Sequence, residues 1–541
     1  MVPFGDRAVL VEVRDVAAAH ALAARLEVLV ADGGAPGSVD DVVVGFASVL
    51  VALDPDPGRA DAGTVAAWLD EVTAAPPTVG PPDGAREHVL PVVFDGDDLA
   101  DVATAVGMAP DGVVALVVGA TLDVAFVGFA PGFPYLTGLP PELAALPRRA
   151  TPRTSVPAGS VAVAGGFAAV YPRATPGGWH LLGRTTEVLF DPEVPPHSRV
   201  APGDRVRFVI ADHAGDGAAV ATPPSDGRRL LTADGPCLEV LDPGLATTVQ
   251  DGGRRGTAHL GVPVAGAADH RSSALANLLL GNDPGAAVLE CAAVGPTFRM
   301  IGDGHLAVVG PGRVEVSVDG HPAPDGAVLP VDGQVVRIGR VDTGLRAYVG
   351  VAGGIATPRL LGSRSSDVLT GLGPGPLRPG DRLARGTPGR VRGHLDRPHP
   401  PPGPTVLRVV PGPHGDVEGL VEGAWQVGTD SDRIGIRLVA VDGVGVDGGP
   451  ARPSTPMVTG AVQVPPDGRP IVLLPDHATV GGYPVVACVA SVDLPRLGQL
   501  APGARVASTA DDHATAVDLA RRDRVDTTAR VSGWFPTRAG T

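Results

Sequence analysis

The chain has 541 residues, of which 75 are glycine, 57 are proline and 44% are hydrophobic. At about 150 residues per domain, this length predicts three or four folding units, and the apolar content argues against a disordered chain. The 43 basic and 59 acidic residues give a net charge of −16, which argues against a nucleic-acid-binding scaffold. All the basic residues are arginine, so this chain cannot by itself form a Walker-type phosphate loop, a Schiff base or a biotinylated lysine.

The first 85 residues alternate between strand-like and helix-like segments and predict a small α+β unit. Its elements are expected in the order 7–13 (strand), 17–29 (helix), 42–53 (strand) and 64–74 (helix). After this unit, short valine-rich runs punctuated by glycine and proline predict cyclophilin-like or similar β-barrels. The apolar run 112–130 is valine-rich and is followed by Pro131-Gly132, which favours two buried strands around a turn over a membrane-spanning helix.

The cysteines and the N-terminal residues bear on the cellular location. Cys237, Cys291 and Cys488 are too scattered for a disulfide framework or a thiolate metal site, and their apolar neighbours predict buried, reduced thiols. Asp6 and Arg7 interrupt the segment in which a signal peptide would need an apolar core. We therefore expect a cytoplasmic protein that binds neither membranes nor nucleic acid.

A Pro-Gly turn that leads into a strand-like segment occurs three times, at 202–206, 379–383 and 502–506. Each copy precedes a break in composition, which predicts that each one closes a β-unit; chance repetition is the alternative in a chain so rich in glycine and proline. The predicted divisions are an α+β unit at 1–85, a β-barrel at 86–212, a linker at 213–235, two barrel halves at 236–397 and 398–510, and a polar tail at 511–541.

The first half concentrates aromatic rings and arginines in turns. Eight of the 19 aromatic residues fall between Phe126 and Phe190, where rings held by prolines would form a rigid wall for a ligand. The alternative is an aromatic core beneath two loops. Arg153 lies near two other arginines in a segment with few carboxylates, and Ser160 follows, so this segment is a candidate anion site. The alternative for these arginines is a solvated strand edge.

The second half carries polar residues inside apolar sequence. Gln250, Asp251 and Arg254 surround a Gly-Gly turn. Asp269 precedes the helix-like run 272–280, so its role is either in a binding site or as the helix N-cap. Strand alternation also allows Gln463 to point outward rather than into a site. The remaining candidates in this half are Glu290, Arg433, Gly482 and Tyr483.

Two groups of segments resemble a known family. Segments 128–139, 151–160 and 171–185 resemble the B subunit of bacterial 5-oxoprolinase, also known as the sporulation-kinase-inhibitor family. The segments that resemble the C subunit of the same enzyme are 248–261, 266–269, 281–290, 353–367, 431–438 and 459–483. The resemblance implies a fusion of both subunits, built from cyclophilin-like barrels and carboxyltransferase-like domains. The sequence departs from the family pattern at Ala268, where methionine is usual, and at Ser366, where threonine is usual.

The resemblance further implies an ATP-dependent hydrolase that converts 5-oxoproline to glutamate together with a separate, A-type third subunit. ATP, with Mg²⁺, would activate the lactam carbonyl, and arginines would stabilise charge on the transferred group. We expect loops of both halves to converge on one cavity for this small anionic substrate.

The residues expected to bind the substrate are Arg153, Ser160, Tyr171, Arg173, Gly177, Gly178, Trp179, Arg184, Gln250, Arg254, Arg433, Gln463, Gly482 and Tyr483. The candidates for a general base are Asp251, Asp269, His180 and Glu290, and no metal-ligand set is apparent.

Two other functions stay open at this point. Kinship with urea carboxylase implies carboxyl transfer to urea or a small amide, with biotin carried by another polypeptide because this chain has no lysine. The kinase-inhibitor relatives imply a regulatory protein that binds without catalysis. A homo-oligomer is compatible with each of these functions.

Overall fold

The computed structural model describes residues 1–37, 39–54, 62–74, 85–212, 231–326, 328–391, 405–414, 417–443, 445–447, 449–450 and 452–534. Strands account for 35% of the protein and helices for 18%. The prediction of a mainly β protein with an α+β N-terminal unit and several barrel-like sheets is confirmed. The predicted linker falls mostly on 213–230, which lies outside the described residues. We call residues 1–212 the first module and residues 231–534 the second module.

The first module begins with a four-stranded antiparallel sheet and two helices. The elements are β1 (Val2–Pro3), β2 (Ala8–Glu12), α1 (Val16–Ala31), β3 (Val39–Gly45), β4 (Ser48–Leu53) and α2 (Ala62–Ala74). The strand order is β1-β2-β4-β3. The carboxylate of Asp15 caps α1 by accepting a hydrogen bond from the N–H of Ala18, 2.8 Å away. The predicted single strand at 42–53 is a hairpin, which turns at Ala47 with φ of 54°.

The rest of the first module is built on a seven-stranded sheet with the order β12-β9-β10-β7-β6-β13-β5 and a small two-stranded ribbon, β11-β8. Its elements are β5 (Glu87–Val92), α3 (Leu99–Ala105), α4 (Pro110–Gly119), β6 (Leu122–Val127), β7 (Pro134–Thr137), α5 (Pro141–Ala144), β8 (Arg153–Val156), β9 (Ser160–Ala164), β10 (Phe167–Val170), β11 (Thr175–Gly177), β12 (His180–Arg184) and β13 (Arg205–Ile210).

The prediction of two strands within 112–130 is wrong in its first half. Helix α4 occupies Pro110–Gly119, and only β6 is a strand. Pro110 suits the first helical turn, and Val113 and Val117, four residues apart, are both fully buried on one helical face. Among the described residues no single helix is long and apolar enough to span a membrane, although α3 and α4 together, bent by 91°, reach that length and composition.

The second module begins with two packed sheets. Their strand orders are β20-β19-β22-β17-β14-β24 and β15-β16-β23-β18-β21. The elements are β14 (Cys237–Asp242), β15 (Ala246–Gln250), α6 (His270–Leu279), β16 (Val288–Ala292), β17 (Thr297–Ile301), β18 (Asp303–Val309), β19 (Val314–Val318), β20 (His321–Ala323), β21 (Val328–Asp332), β22 (Val335–Val341), β23 (Arg346–Val351) and β24 (Arg382–Ala384). A short 3₁₀ turn covers Ala258–Leu260.

The second module ends with a closed barrel, β25-β32-β29-β30-β27-β26-β33, and a two-stranded ribbon, β28-β31. The elements are β25 (Thr405–Pro411), α7 (Glu418–Glu422), β26 (Trp425–Val427), β27 (Gly435–Ala440), β28 (Thr455–Pro456), β29 (Ala461–Gln463), β30 (Ile471–Leu473), β31 (Val480–Gly481), β32 (Val485–Val489), α8 (Leu494–Leu497), β33 (Arg505–Ala510) and α9 (His513–Trp534). The predicted polar tail at 511–541 is therefore helical as far as Trp534.

The three Pro-Gly repeats lead into β13, β24 and β33. Their glycines, Gly203, Gly380 and Gly503, all have positive φ, between 84° and 89°. β13 pairs in parallel with β5, and β33 pairs in parallel with β25, so each of these last strands lies beside the first strand of its own unit. β24 instead pairs antiparallel with β14.

The N-terminal sheet is buried on both faces, because successive side chains of a strand point to opposite sides. One face packs against α1 and α2 through residues that include Val9, Val11, Val49 and Val51. The other face packs against the closed barrel of the second module. This second cluster joins Phe4, Ala8, Leu10, Val43 and Leu50 to Met457, Ala461, Leu473, Val485 and Cys488. All three cysteines are buried and free, as predicted.

Candidate active site

A cavity of about 430 Å³ lies where the two modules meet. The first module contributes Asp6, Arg7, Leu53 and Asp54 to its wall. The second module contributes residues of the segment 251–274 and parts of the region 459–523, including α9. Cavities of this volume are typical of sites for small molecules. We therefore take this cavity as the candidate active site.

The segment Val264–Ala268 forms one wall and is held from behind by a backbone hydrogen bond and by buried polar side chains. The backbone N–H of Arg254 donates to the carbonyl of Val264, 2.6 Å away. The guanidinium of Arg433 donates to the carbonyl of Gly266 (2.6 Å), and the carboxylate of Glu290 accepts from the N–H of Ala268 (2.9 Å). Arg254 and Arg433 were predicted to contact the substrate, and Glu290 to act as a base. In this structure all three support the cavity wall.

Asp251 reaches the cavity but is occupied by structural hydrogen bonds. One of its oxygens accepts from the hydroxyls of Ser363 (2.6 Å) and Ser365 (2.7 Å), and the other accepts from the N–H of Arg364 (2.7 Å). Of the residues predicted for the site, only Asp251 lines this cavity. Because both of its oxygens hold the loop at 363–365, a role for Asp251 as a general base stays a prediction.

The carboxylates of the cavity are bound by their neighbours, whereas one arginine is not. Asp6 accepts from the N–H of Ser491 (3.1 Å), and Asp523 accepts two hydrogen bonds of 2.7 Å from Arg271. The Arg255 side chain lines the cavity; among the hydrogen bonds and ion pairs of the described residues none involves it, and the carboxylate whose charge it influences is Asp40. Arg255 is therefore the cation that an anionic ligand would meet in this cavity.

His270 lines the same cavity, where three arginines affect its pKa. Desolvation, followed by the charges of Arg7, Arg271 and Arg255, lowers the pKa of His270, although the residue is exposed, so the direction of the shift rests mainly on the three arginines. The imidazole is consequently neutral near pH 7. A neutral imidazole can donate one hydrogen bond and accept another without adding charge.

A second charged cluster lies behind the cavity and receives one side chain from the first module. Nη1 of Arg173 donates to the carbonyl of Leu369, 3.2 Å away. Asp367 is buried beside Arg173 and Arg254, and burial together with the nearby carboxylate of Asp476 raises the pKa of Asp367 to about 6. The two modules thus bring Arg173, Arg254 and Asp367 into one electrostatic cluster.

Arg254 and Gln250 each keep unpaired polar atoms in this cluster. Arg254 has no exposed surface, and its Nη2 donates to the carbonyl of Ser365, while its Nε and Nη1 have no partner in the described structure. Gln250 donates to the carbonyl of Ser366 (3.0 Å) and leaves its Oε1 unpaired. These orphan groups lie away from water, so a direct role in binding the substrate stays a prediction for both residues.

The arginine-rich segment of the first module is organised around Asp98. Arg149 and Arg153 both donate to Oδ1 of Asp98, and the N–H of Leu181 donates to Oδ2 from 2.7 Å. An internal carboxylate therefore already pairs with both arginines of the predicted anion site. Arg184 pairs with Asp95 at 2.9 Å on the surface.

The other predicted residues of this segment make local contacts. The Ser160 hydroxyl donates to the carbonyl of Pro157 (2.8 Å). Nε2 of His180 lies 3.0 Å from the carbonyl of Pro147. The carbonyl of Gly178 accepts a hydrogen bond from the N–H of Arg149 (2.8 Å). None of these contacts brings the residues to the cavity between the modules.

The aromatic residues form a core. Tyr171 and Trp179 both pack edge-on against Phe133, with ring centroids 5.1 and 5.7 Å apart. Both are buried in the same cluster as Val480 of the second module. Gly177 lies against the Tyr171 hydroxyl so closely that a Cβ there would approach it to 2.4 Å. The structure thus shows the aromatic core that was the alternative to a ligand wall.

The last predicted set lies near the ribbon β28-β31. Gln463 is buried, contrary to outward alternation, and its amide contacts Sδ of Met457 at 3.5 Å. Gly482 accepts through its carbonyl from the N–H of Arg452 (2.9 Å), while Tyr483 is 43% exposed. These residues lie next to the interface between the modules but do not line the cavity.

Asp269 is the N-cap of α6, which was its structural alternative. Its carboxylate accepts from the N–H of Ser272 (3.0 Å) and from the amide of Gln499 (2.8 Å). The residues of the cavity that the sequence did not single out, Arg255, His270 and Arg271, directly follow Arg254 and Asp269. The sequence feature that could have pointed to Arg255 is that it directly follows Arg254. In the structure Arg254 is buried and Arg255 is exposed.

Comparisons with known proteins define the family. A family model described as "Carboxyltransferase domain, subdomain C and D" matches residues 1–200, and one described as "Carboxyltransferase domain, subdomain A and B" matches residues 260–509. The C subunit of 5-oxoprolinase from Escherichia coli K12 is 35% identical over 283 residues, 49% of this chain and 88% of that protein. The B subunit from Escherichia coli O157:H7 is 42% identical over 177 residues, 32% of this chain and 78% of that protein.

Two further similarities extend the comparison. The urea amidolyase of Lachancea kluyveri is 32% identical over 336 residues, which are 56% of this chain but 18% of that enzyme. The crystal structure of TTHA0988 matches with a TM-score of 0.81 at 35% identity and covers 93% of this chain and 99% of that one. The chain belongs to the carboxyltransferase-domain family that includes the B and C subunits of 5-oxoprolinase, with the B-like half first and the C-like half second.

Proposed function

We propose that this protein is the substrate-binding component of an ATP-dependent 5-oxoprolinase and that it acts with a separate third subunit. The proposal is supported by its similarity to the B and C subunits of that enzyme. The observation that carries it is the cavity built by both modules, which presents Arg255 without a hydrogen bond or close ion pair to another described residue. A cavity that exists only where the B-like and C-like halves meet suits a protein that joins them in one chain.

The chemistry of the substrate fits these groups. 5-Oxoproline carries a carboxylate, and its lactam carbonyl is a poor electrophile because the amide is stabilised by resonance. In our proposal Arg255 binds the carboxylate, since guanidinium and carboxylate form strong charge-assisted hydrogen bonds. The neutral His270 lies in the same cavity and can hydrogen-bond the lactam without repelling a cation nearby. Activation of the lactam oxygen by phosphate from ATP would then permit ring opening.

We assign the nucleotide to the partner subunit. The chain has no lysine, and its described residues contain no group of three or more His, Cys, Asp or Glu that could hold a metal ion. A site for MgATP ordinarily needs oxygen ligands for the metal and cations for the phosphates. In our proposal the third subunit therefore supplies most of the groups that bind MgATP.

Carboxyl transfer is the second candidate. It is favoured by the similarity of the chain to urea amidolyase and by the description of the matching family models. In that case the cavity would hold a small amide, and carboxybiotin would come from another polypeptide because this chain has no lysine to carry it.

The test is a reconstitution. The chain is mixed with a candidate third subunit, and release of phosphate and formation of glutamate are measured with and without 5-oxoproline. We expect turnover that requires both proteins. Arg255→Gln is expected to raise the KM for 5-oxoproline about tenfold or more, because a charge-assisted hydrogen bond is lost, while kcat changes less.

Arg469→Gln is the matched control, since Arg469 is an exposed arginine that pairs with Asp467 at 2.8 Å and lies outside the cavity. The control is expected to behave like the unaltered protein. Absence of 5-oxoproline-dependent phosphate release in the complete mixture would contradict the proposal. Carboxylation of urea in the presence of a biotin carrier would establish the second candidate instead.

A further inference from the structure

Helix α9 forms one wall of the cavity and lies outside both family matches. The match to the A and B subdomains ends at residue 509, and α9 begins at His513. The helix contributes Val517, Ala520, Arg521 and Asp523 to the cavity wall. The size and charge of the cavity therefore depend on an element that lies beyond the matched domains.

The cavity-facing residues of α9 share one helical face. Val517, Ala520 and Arg521 are three and four residues apart, which places them on the same side of a helix. The side chains of Asp518 and Arg522 pair with each other at 2.5 Å and are more than half exposed. One face of α9 thus meets the cavity, and another carries an ion pair in solvent.

The start of α9 and its cavity-facing part are held differently. Near its start, Asp512 accepts from the N–H of Thr515 (2.7 Å), and the fully buried Ala516 packs against Val410 and Ala490. Near the cavity, α9 forms an ion pair in which Nη2 of Arg271 lies 2.7 Å from both oxygens of Asp523. Both of these side chains are 34% exposed. An ion pair that is this accessible is weak and can be exchanged.

We propose that α9 is a movable wall in which Asp523 occupies the guanidinium of Arg271 and so competes with the anionic group of the ligand. The inference rests on the proposed function, since it assumes an anionic ligand in this cavity. Release of Asp523 would make the guanidinium of Arg271 available to the ligand in addition to that of Arg255. Arg271 is the first residue after His270 in α6, so both cations then face one ligand beside a neutral imidazole. The contact between Arg271 and Asp523 is in this sense autoinhibitory.

The test measures binding by this chain without ATP or a partner, with 5-oxoproline and acetate as the probes in calorimetry. Asp523→Asn removes the competing charge and frees Arg271. We expect a Kd for 5-oxoproline about twofold to fivefold lower, which corresponds to the strength of an exposed ion pair. Hydrogen exchange of the α9 amides is expected to become faster in the same variant. Asp518→Asn is the matched control on the solvent face and is expected to change neither quantity.

A second variant covers the case in which Asp523→Asn perturbs the fold. Ala520→Trp fills the cavity from the same helix while leaving the ion pair in place, and it is expected to abolish binding of 5-oxoproline. An unchanged or higher Kd in Asp523→Asn, or unchanged binding in Ala520→Trp, would overturn the inference. Turnover in the complete mixture tests the proposed function separately. An active enzyme with an unaltered Kd in Asp523→Asn would therefore disprove only the role of α9.

Discussion

Glu290 is a buried carboxylate that ties together several parts of the second module. It accepts from the N–H of Ala268 and the hydroxyl of Tyr348, each at 2.9 Å, and it forms ion pairs with Arg346 (3.2 Å) and Arg433. Burial opposes its ionisation, but Arg433 and Arg346 hold the pKa of Glu290 below its usual range. Glu290, one of the candidate bases, is thus kept ionised by two arginines, and its role as a base stays a prediction.

Glu290→Gln is expected to lower the free energy of unfolding by about 3 kcal/mol at pH 7, because the buried Arg346 loses its carboxylate partner and Arg433 keeps only Asp476. The folded pKa is lower than the unfolded value of about 4.3, so the stabilisation is present above that pH and is lost as the pH falls below it. The difference between wild type and variant, measured by urea denaturation, should therefore shrink below about pH 4.3.

Glu239→Gln is the control for this measurement. Glu239 is a partly exposed carboxylate 4.0 Å from Arg299, so its loss should change stability by less than about 0.5 kcal/mol. Equal effects of the two substitutions at pH 7 would contradict the structural role of Glu290.

Two of the predicted site residues are sequence neighbours of residues that line the cavity. Arg254 and Asp269 carried the prediction, whereas Arg255 and His270 line the cavity. In turns and at helix starts, adjacent side chains point in different directions, and the sequence holds no period from which to decide which one faces the ligand. The chemistry of the segment was therefore predictable, but the individual side chain was not.

At the scale of elements, the repeated Pro-Gly turns decide how the β-units end. Gly380 has φ of 89°, and a Cβ built on it would meet no atom within 4 Å. Because space is available, any loss of stability caused by a larger residue at this position must come from strain in the backbone at positive φ. Gly380→Ala is expected to destabilise the protein by about 1 kcal/mol or more, as measured by chemical denaturation.

Gly119→Ala is the matched control for this turn. Gly119 also has open space around its Cβ position, but it lies at the end of α4 without a positive φ. Alanine is a better helix former than glycine, so this substitution should be neutral or slightly stabilising. A loss of stability similar to that of Gly380→Ala would show that backbone strain is not the cause.

The helices were the least predictable elements. The run at 112–130 was assigned to strands because valine favours strands, yet α4 forms because Val113 and Val117 both find buried positions on one face. The segment 511–541 was predicted to be a polar tail. Helix α9 packs there through Ala516, a contact too small to leave a pattern in the sequence.

At the scale of the whole molecule, the modules are joined by a shared apolar core. The sheet of the first module contributes Leu10 and Leu50, and the closed barrel contributes Leu473 and Val485. Polar contacts add to this core: the carboxylate of Asp41 accepts from the N–H of Ala258 across the interface, 2.7 Å away. Burial of this kind is typical of stable rather than transient association.

A protease site inserted after Asp212 tests this association. After cleavage, the two fragments are expected to elute together in size-exclusion chromatography, because the interface does not depend on the covalent connection. Leu10→Asp in the cleavable protein should separate the fragments, since it places an unpaired charge in the shared core. Separation of the unaltered fragments after cleavage would contradict a stable interface.

The sequence by itself determined that the protein is rich in β-strands and has two halves that each resemble a family member. Family motifs and strand patterns are short-range features, so they can be recognised without the fold. The tertiary structure decided which polar residues face the cavity, since that depends on how Arg7 of the first module, Arg255 of the second and the helix α9 are brought together across hundreds of residues. It also decided that the aromatic rings fill a core, because packing partners such as Val480 come from the other half of the chain. Local sequence patterns specify helices and strands. A binding site between two modules depends on contacts between residues far apart in the sequence, and these contacts leave no local pattern.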